Sequence, residues 1–337
     1  MLNHKGKIVT LKDIAEVTGY TANTVSRVLN NRENVSPKTR ELILTTAKEL
    51  GYVGNALAGS LRSGISGTIA VIISDVSNPL FGVMVREIDN VLLRQNYCAF
   101  VLNTGERYEM EEKAITLALS KKVDGVILCP TQIQRDDLRL LHANHVPYVL
   151  MGRRYEGQDD NYVVWDDFKG GYQATSHLIK QGHKSILFLN APKYISSARE
   201  RLSGYRQALE ENGIPFQQKL VRQINVTSTD IRRTIVAALD AGVEFTAIFA
   251  FSDLIAFETV STLESMGYKI PGDVAVVGFD NVQSKLSLPF PLTSVSTPKT
   301  KMAHKTVDIL LSRIRDKEED NPHQIVLNTT LMVRGSS

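Results

Sequence analysis

From Thr68 onward, short apolar runs alternate with amphipathic stretches, and the alternation runs through twice. The first series has strand candidates at Ile69–Ile73, Cys98–Leu102, Gly125–Cys129 and Tyr148–Leu150, with helix-like stretches near 80–95, 109–121 and 135–144 between them. The second has Val163–Trp165, Ser185–Leu189, Val221–Val226, Ala247–Phe251 and Val274–Phe279, separated by helix-like stretches near 169–181, 199–212, 229–241 and 254–266. Strand, helix, strand in repetition builds a parallel sheet with helices on both faces. The fold class is therefore α/β, with two doubly wound, mostly parallel lobes. Sheets of this kind bind ligands at the carboxyl ends of their strands, so the cleft between the lobes is the expected small-molecule site. A last helix near 300–315 and the run Ile325–Val333 are expected to cross back between lobes. That assigns about 68–162 plus 293–318 to one lobe, and about 163–292 plus 319–337 to the other.

The residues ahead of this core follow a different rule. Thr10 to Asn31, TLKDIAEVTGYTANTVSRVLNN, reads as two short helices joined by a tight turn at Gly19. Thr10 and Thr21 are placed to cap them, because a threonine oxygen can accept an unpaired first-turn N–H. Leu11, Ile14, Ala15, Val25, Val28 and Leu29 are spaced to share one small core. The second helix, roughly Ala22 to Leu29, then turns Ala22, Asn23, Ser26, Arg27 and Asn30 outward. An apolar back with an amide- and guanidinium-bearing front suits a helix laid in a DNA major groove. Ser36 and Pro37 start a third helix as cap and first-turn residue, and Gly51 ends it. Residues 1–53 thus read as an N-terminal helix-turn-helix DNA-binding domain, and 54–67 as a hinge helix and linker.

Charge supports the division. The chain carries +3 overall, but residues 1–64 hold nine Lys/Arg against five acids, leaving the remainder at −1. A basic excess confined to the proposed DNA reader is what a phosphate-facing module needs. No apolar stretch of membrane-spanning length and no signal peptide are present, which points to the cytoplasm. Cys98 and Cys129 lie in apolar runs and read as buried free thiols. Enzymatic signatures are missing. There is no GxxxxGK[ST], no GxGxxG after a strand and no GxSxG elbow, and the seven histidines form no HExxH pair. Neither a catalytic residue, a metal nor a cofactor is expected. An enzyme, or an extracytoplasmic sugar receptor on the same two-lobed core, is the weaker reading.

Several segments in this order resemble the LacI/GalR (lactose-repressor) family of bacterial regulators over essentially the full chain. They include VTLKDIAEVTGYTANTVSRVLNN, SDVSNPLF, VDGVIL, HLIKQGHKSILFL, RERLSGYRQALEENGI, TAIFAFSDLIAFETVSTLESMGYKIPGDVAVVGFDN and LTSVSTP. The resemblance implies a ligand-responsive transcriptional regulator. It reads as a repressor of carbohydrate-utilisation genes that binds a palindromic operator as a homodimer. Ala22, Asn23 and Arg27 match base-reading positions. Thr24, Ser26 and Asn30 match phosphate-contacting or supporting ones, and the capping Thr10 and Thr21 are counted with this DNA-facing set. Asn55, Ala58 and Leu61 match hinge positions, with Leu61 as a wedge into the minor groove. Gly54 departs from the pattern, which usually has proline there. Only four residues follow Val333, so no heptad tail for a tetramer is expected.

For the effector, the resemblance implies a small sugar or sugar derivative, held by Ser74, Phe81, Arg153, Asp166, Arg201, Asp253 and Asp280. Carboxylates accept from vicinal hydroxyls, arginine donates to oxygens, and an aromatic packs on the apolar face of a sugar ring. Asp166 and Asp253 are equally readable as helix caps. Trp165, the sole tryptophan, suits either sugar stacking or the core. Ile195 stands where the purine regulator has arginine, which argues against a purine corepressor. Some relatives are catabolite-control regulators that dock a phosphorylated carrier protein, but Lys299–Ile314 does not reproduce their docking pattern.

Overall fold

The computed structural model describes residues 9–30, 32, 35–54, 64–225, 230–316 and 321–337. The chain divides into two units, Met1–Ile65 and Ser66–Ser337. The expected hinge positions Asn55, Ala58 and Leu61 lie outside the described residues.

The first unit holds three helices, α1 (Leu11–Thr18), α2 (Ala22–Leu29) and α3 (Pro37–Glu49). Each start and stop has a local cause. At α1 the Asp13 carboxylate accepts from the Thr10 amide (2.7 Å) and the Thr10 hydroxyl (2.6 Å). At α2 and α3 the Thr21 and Ser36 oxygens accept from the amides of Thr24 and Thr39, both at 3.2 Å. Caps of this kind contribute about 1 kcal/mol each. Gly19 ends α1 in the left-handed region at φ 72°. Gly51 does the same for α3 at φ 68°, with Gly51 N donating to Lys48 O and Tyr52 N to Ala47 O, the paired bonds of a Schellman stop. Ile14, Val25, Val28, Ile43 and Ala47 are the buried centre of this unit.

The second unit alternates strands and helices in chain order. These are β1 (Thr68–Ile73), α4 (Pro79–Arg94), β2 (Cys98–Asn103), α5 (Tyr108–Ser120), β3 (Gly125–Leu128), α6 (Leu138–Ala143), β4 (Tyr148–Met151), β5 (Tyr162–Trp165), α7 (Asp167–Lys180), β6 (Ile186–Asn190), α8 (Ser196–Glu211), β7 (Val221–Gln223), α9 (Ile231–Asp240), β8 (Ala247–Ala250), α10 (Asp253–Ser265), β9 (Ala275–Asp280), β10 (Thr293–Ser296), α11 (Lys299–Arg315), β11 (Gln324–Leu327) and β12 (Thr330–Met332). They form two six-stranded sheets, ordered β11-β5-β4-β3-β1-β2 and β12-β10-β9-β8-β6-β7. Every pairing is parallel except β10 with β12.

Both faces of each sheet are covered at its centre, which is why strands such as β1, β3, β4, β6 and β8 read as apolar runs. In the first sheet, Ile69, Val71 and Ile73 face α4 and α11 through Met84, Ile88, Val307 and Leu310. Their neighbours Ala70 and Ile72 face α5 and α6 through Ile115 and Leu138. In the second, Leu187 and Leu189 join Ile235 of α9 and Leu263 of α10, while Phe188 joins Leu178 of α7 and Tyr205 of α8. Helices α7 and α8 touch through backbone. A Cβ at Gly204 would meet Phe168 O at 2.1 Å, and one at Gly171 would meet Arg201 O at 2.4 Å.

Three strands join a different sheet from the one the sequence suggested. Tyr162–Trp165 belongs to the first lobe rather than opening the second, Thr293–Ser296 to the second, and Gln324–Leu327 to the first. The chain therefore passes between lobes after Trp165, after Ser296 and after Leu327. A four-residue run is too short for its pattern to say which sheet it joins, and Thr293–Ser296 (TSVS) and the half-exposed Gln324–Leu327 are not continuous apolar runs at all. Cys98 also departs from expectation: it is exposed, whereas Cys129 is buried. Its run is apolar, but β2 is the edge strand, and only its middle four residues are partly covered.

Candidate DNA-reading helix and ligand cleft

In the first unit, Val25 and Val28 turn the back of α2 into the core. The front exposes Thr21, Asn23, Arg27 and Asn30, with Ala22, Thr24 and Ser26 half-buried between them. Several of these side chains are already engaged. Thr21 and Thr24 share a hydroxyl contact at 2.9 Å. Asn30 Nδ2 donates to Ser26 O (2.6 Å) and to Ser26 Oγ (3.2 Å). The Asn23 side chain makes no hydrogen bond among the described residues, leaving its amide able to read a base edge.

In the second unit, a cavity with about 630 Å³ of space between atoms, counting its mouth, opens between the two sheets. Its walls are strand ends and the residues just after them: Ser74 after β1, Glu106 after β2, Cys129 after β3, Gly152 and Arg153 after β4, and Trp165 closing β5. Facing these are Ser197 and Arg201 of α8, Phe251 and Ser252 after β8, and Asp280 closing β9. Phe81 and Asn78 enter from the start of α4. Six of the eight expected effector residues, Ser74, Phe81, Arg153, Trp165, Arg201 and Asp280, therefore meet at one cavity.

Asp166 and Asp253 do not line it. Asp166 caps α7, its Oδ1 accepting from Lys169 N at 2.9 Å. Asp253 is fully buried, its Oδ2 accepting from Val282 N (2.8 Å) and its Oδ1 from Ser294 Oγ (2.5 Å). It fastens α10 to the segment after β9 and to β10. The ambiguity in the sequence thus resolves to a cap for Asp166 and a scaffold link for Asp253. Trp165 is in the core and also at the cavity wall. It packs in the first lobe's core against Gly152, and it lines the cavity with a buried Nε1 that has no partner among the described residues.

The two arginines are committed to carboxylates. Arg153 donates from both terminal nitrogens to Glu106, Nη1 to Oε2 at 2.8 Å and Nη2 to Oε1 at 2.7 Å. Burial, the largest single influence, pushes the Glu106 carboxyl up; the Arg153 charge and the hydrogen bonds from Arg153 and Ser74 together outweigh it and hold Glu106 below the usual carboxylate range. Arg201 donates Nε to Asp167 Oδ1 at 2.8 Å and Nη1 to Phe251 O, with its guanidinium 4.3 Å from the Phe251 ring centre and 3.5 Å from that of Phe279. Glu106 was not anticipated from the sequence, and neither were Asn78, Ser197 and Ser252. Marking every polar residue just beyond a strand's carboxyl end finds Glu106 and Ser252. The Glu106–Arg153 pairing spans 47 positions and leaves no local trace.

Asp280 differs from its neighbours. It is 2% exposed, its carboxyl has no hydrogen-bond partner among the described residues, and its backbone sits at φ 115°. Lys299 holds that turn from below, its Nζ donating to the carbonyls of Asp280, Asn281 (3.1 Å) and Thr297 (3.3 Å). Burial, reinforced by the nearby Asp253 carboxyl, pushes the Asp280 carboxyl up to about 8. A raised acid has a definite effect on stability. Below about pH 4 both folded and unfolded chains keep the proton. From there to about pH 8 the unfolded chain releases it while the folded chain retains it, so stability falls as pH rises, and above that the loss is complete. Asp280→Asn has no proton to release. Its stability relative to the parent is expected to grow by roughly 2 kcal/mol or more between pH 4 and pH 8.5. Urea unfolding at the two pH values measures this, and an equal difference at both contradicts it.

Two family descriptions match the chain. Residues 10–55 match "Bacterial regulatory proteins, lacI family", and residues 66–333 match "Periplasmic binding proteins and sugar binding domain of LacI family". The HTH-type transcriptional repressor PurR of Actinobacillus pleuropneumoniae serotype 3 (strain JL03) is 30% identical over 330 residues, 98% of each chain. Among solved structures, the transcriptional regulator CelR in its cellobiose complex is similar at 32% identity and a TM-score of 0.71, over 98% of this chain and 100% of that one. The lac repressor dimer bound to operator and the anti-inducer ONPF matches with a TM-score of 0.83 and 26% identity, over 98% of this chain and 99% of that one.

Proposed function

Because the chain belongs to the LacI family of bacterial regulatory proteins, we propose that it is a repressor whose operator binding is set by a neutral sugar or related polyol in the cleft. The observation that carries the ligand reading is the Asp280 carboxyl: buried, without a hydrogen-bond partner among the described residues, and on the wall of a cavity that Trp165 and Phe81 also line. A hydroxyl can both donate and accept, so it suits this carboxyl in either protonation state. Arg153 and Arg201 already face carboxylates, which leaves little unbalanced charge to attract an anion. The rings supply apolar surface for the C–H face of a sugar. The cellobiose bound by CelR is in keeping with this chemistry. Ile195 is apolar and packed in the second lobe's core, so that position offers the cleft no charged donor.

On the DNA side, the reading is a homodimer on a palindromic operator, with the two copies of α2 in successive major grooves. Arg27 is the exposed guanidinium of α2. Arg27→Ala is expected to cost roughly 1–3 kcal/mol of operator affinity and to flatten preference at one base pair in each half-site. Titrations on operators varied one base pair at a time test this. Equal weakening on every sequence makes Arg27 a phosphate contact and removes it from base reading.

A further inference from the structure

Helix α8 begins with no side-chain cap of its own, since Ile195 stands at the cap position. Its first amide is satisfied from the opposite lobe. Gln132 Oε1, in the segment after β3, accepts from Ser196 N at 2.8 Å and from Ser196 Oγ at 3.2 Å. Both residues are buried, Gln132 to 8% exposure and Ser196 to 2%. Gln132 holds this position with a left-handed backbone, φ 64°, which is unfavourable for a glutamine. Its other end is tied as well, Nε2 donating to Arg154 O at 2.7 Å.

Arg154 continues the same seam. Its backbone N donates to Ser196 Oγ at 3.2 Å, and its Nη2 pairs with Glu200 Oε1 at 2.8 Å. Beside it, Arg199 pairs with Glu156 at 2.7 Å. Residues 196–200 of one lobe are thus held by two loops of the other. Ser197 and Arg201, on the same turns of α8, line the cleft.

We infer that Gln132 is a positioning residue, which caps α8 from across the cleft and, with the Arg154–Glu200 pair, latches the two lobes in the closed arrangement. The Ser196 amide and hydroxyl keep these partners only while the lobes are together. Opening them strands the Ser196 amide and leaves Gln132 in a left-handed conformation supported only by its bond to the Arg154 carbonyl. The latch sets the fraction of molecules whose cleft is already assembled, and apparent ligand affinity scales with that fraction. Its regulatory meaning rests on the cleft being the effector site; the latch itself does not.

Hydrogen exchange on the full-length, ligand-free protein tests the latch without any ligand. Gln132→Ala is expected to speed exchange of the amides at 196–199 by about tenfold, the factor that goes with losing one net hydrogen bond, while β8 exchanges as before. Arg154→Glu is expected to act in the same direction. Combining it with Glu200→Arg, which reverses the pair, is expected to restore protection. Unchanged exchange at 196–199 in Gln132→Ala overturns the inference. So does acceleration spread evenly over the second lobe, or a reversed pair as unprotected as Arg154→Glu alone. Should the latch pass while no sugar binds the cleft, the effector reading fails on its own.

Discussion

Gly204→Ala is expected to lower stability by about 3 kcal/mol or more, because the added methyl has nowhere to go. At the crossing of α7 and α8 a Cβ on Gly204 would stand 2.1 Å from Phe168 O and 2.6 Å from Tyr172 N. Both obstacles are backbone, so no side-chain rotation relieves them, and the helices must separate. Separation also opens the layer beneath, where Tyr205 and Leu209 of α8 meet Ala174 and Leu178 of α7. Arg201 sits one turn earlier on α8, so the same movement shifts one wall of the cleft. Its Nε–Asp167 bond, which ties α8 to the first residue of α7, lengthens with it. Ser203→Ala, one residue away at an exposed position, is the control and should change stability by less than about 0.5 kcal/mol. Urea unfolding of the three proteins decides it. Equal midpoints for Gly204→Ala and the parent contradict a backbone-to-backbone crossing.

Asp280→Ala is expected to weaken the response to ligand while leaving ligand-free operator binding near the parent level. The carboxyl makes no hydrogen bond to the protein among the described residues, so its removal takes little from the scaffold beyond volume. Its backbone is held by Lys299 and by Thr297, whose hydroxyl donates to Asp280 O at 3.1 Å, and alanine keeps that carbonyl. Ligand hydroxyls placed against this carboxyl, itself 2% exposed, lose their partner, which lowers ligand affinity roughly 10- to 100-fold. Calorimetry on the variant reads this directly. Unchanged affinity moves Asp280 from ligand contact to scaffold, beside Asp253.

Reading the sequence located the first unit closely because its signals are local. Thr21, Ser36, Pro37 and Gly51 act on the residues next to them, and α2 runs from Ala22 to Leu29 as expected. The alternation of apolar runs likewise depends on each sheet being buried on both faces, and it located the β/α core. What stayed illegible needed three dimensions. Asp253 and Asp280 both lie at the carboxyl ends of strands in apolar surroundings. One points to Ser294 and the other into the cavity, and only the path of the chain after β9 separates them. Cys98 reads as buried because its run is apolar, yet the edge position of β2 leaves it exposed. The Glu106–Arg153 and Gln132–Ser196 pairs join residues 47 and 64 positions apart, beyond the reach of any local pattern.

On the proposed reading, occupancy of the cleft sets operator affinity. This is tested by measuring that affinity by fluorescence anisotropy with and without a saturating sugar. The sugar is the one that most raises the melting temperature in a screen including cellobiose, and the operator is selected by the protein from random DNA. Since ligand and operator bind different units of the chain, coupling must appear in both directions. In the parent protein, saturation is predicted to change operator affinity by roughly 5- to 150-fold, and operator to change sugar affinity by the same factor. In Asp280→Ala at the lowest sugar concentration that saturates the parent, the change is predicted to shrink in step with the lost occupancy. A sugar that binds the parent tightly yet leaves its operator affinity unchanged contradicts the account, because a ligand with equal affinity for both arrangements shifts neither.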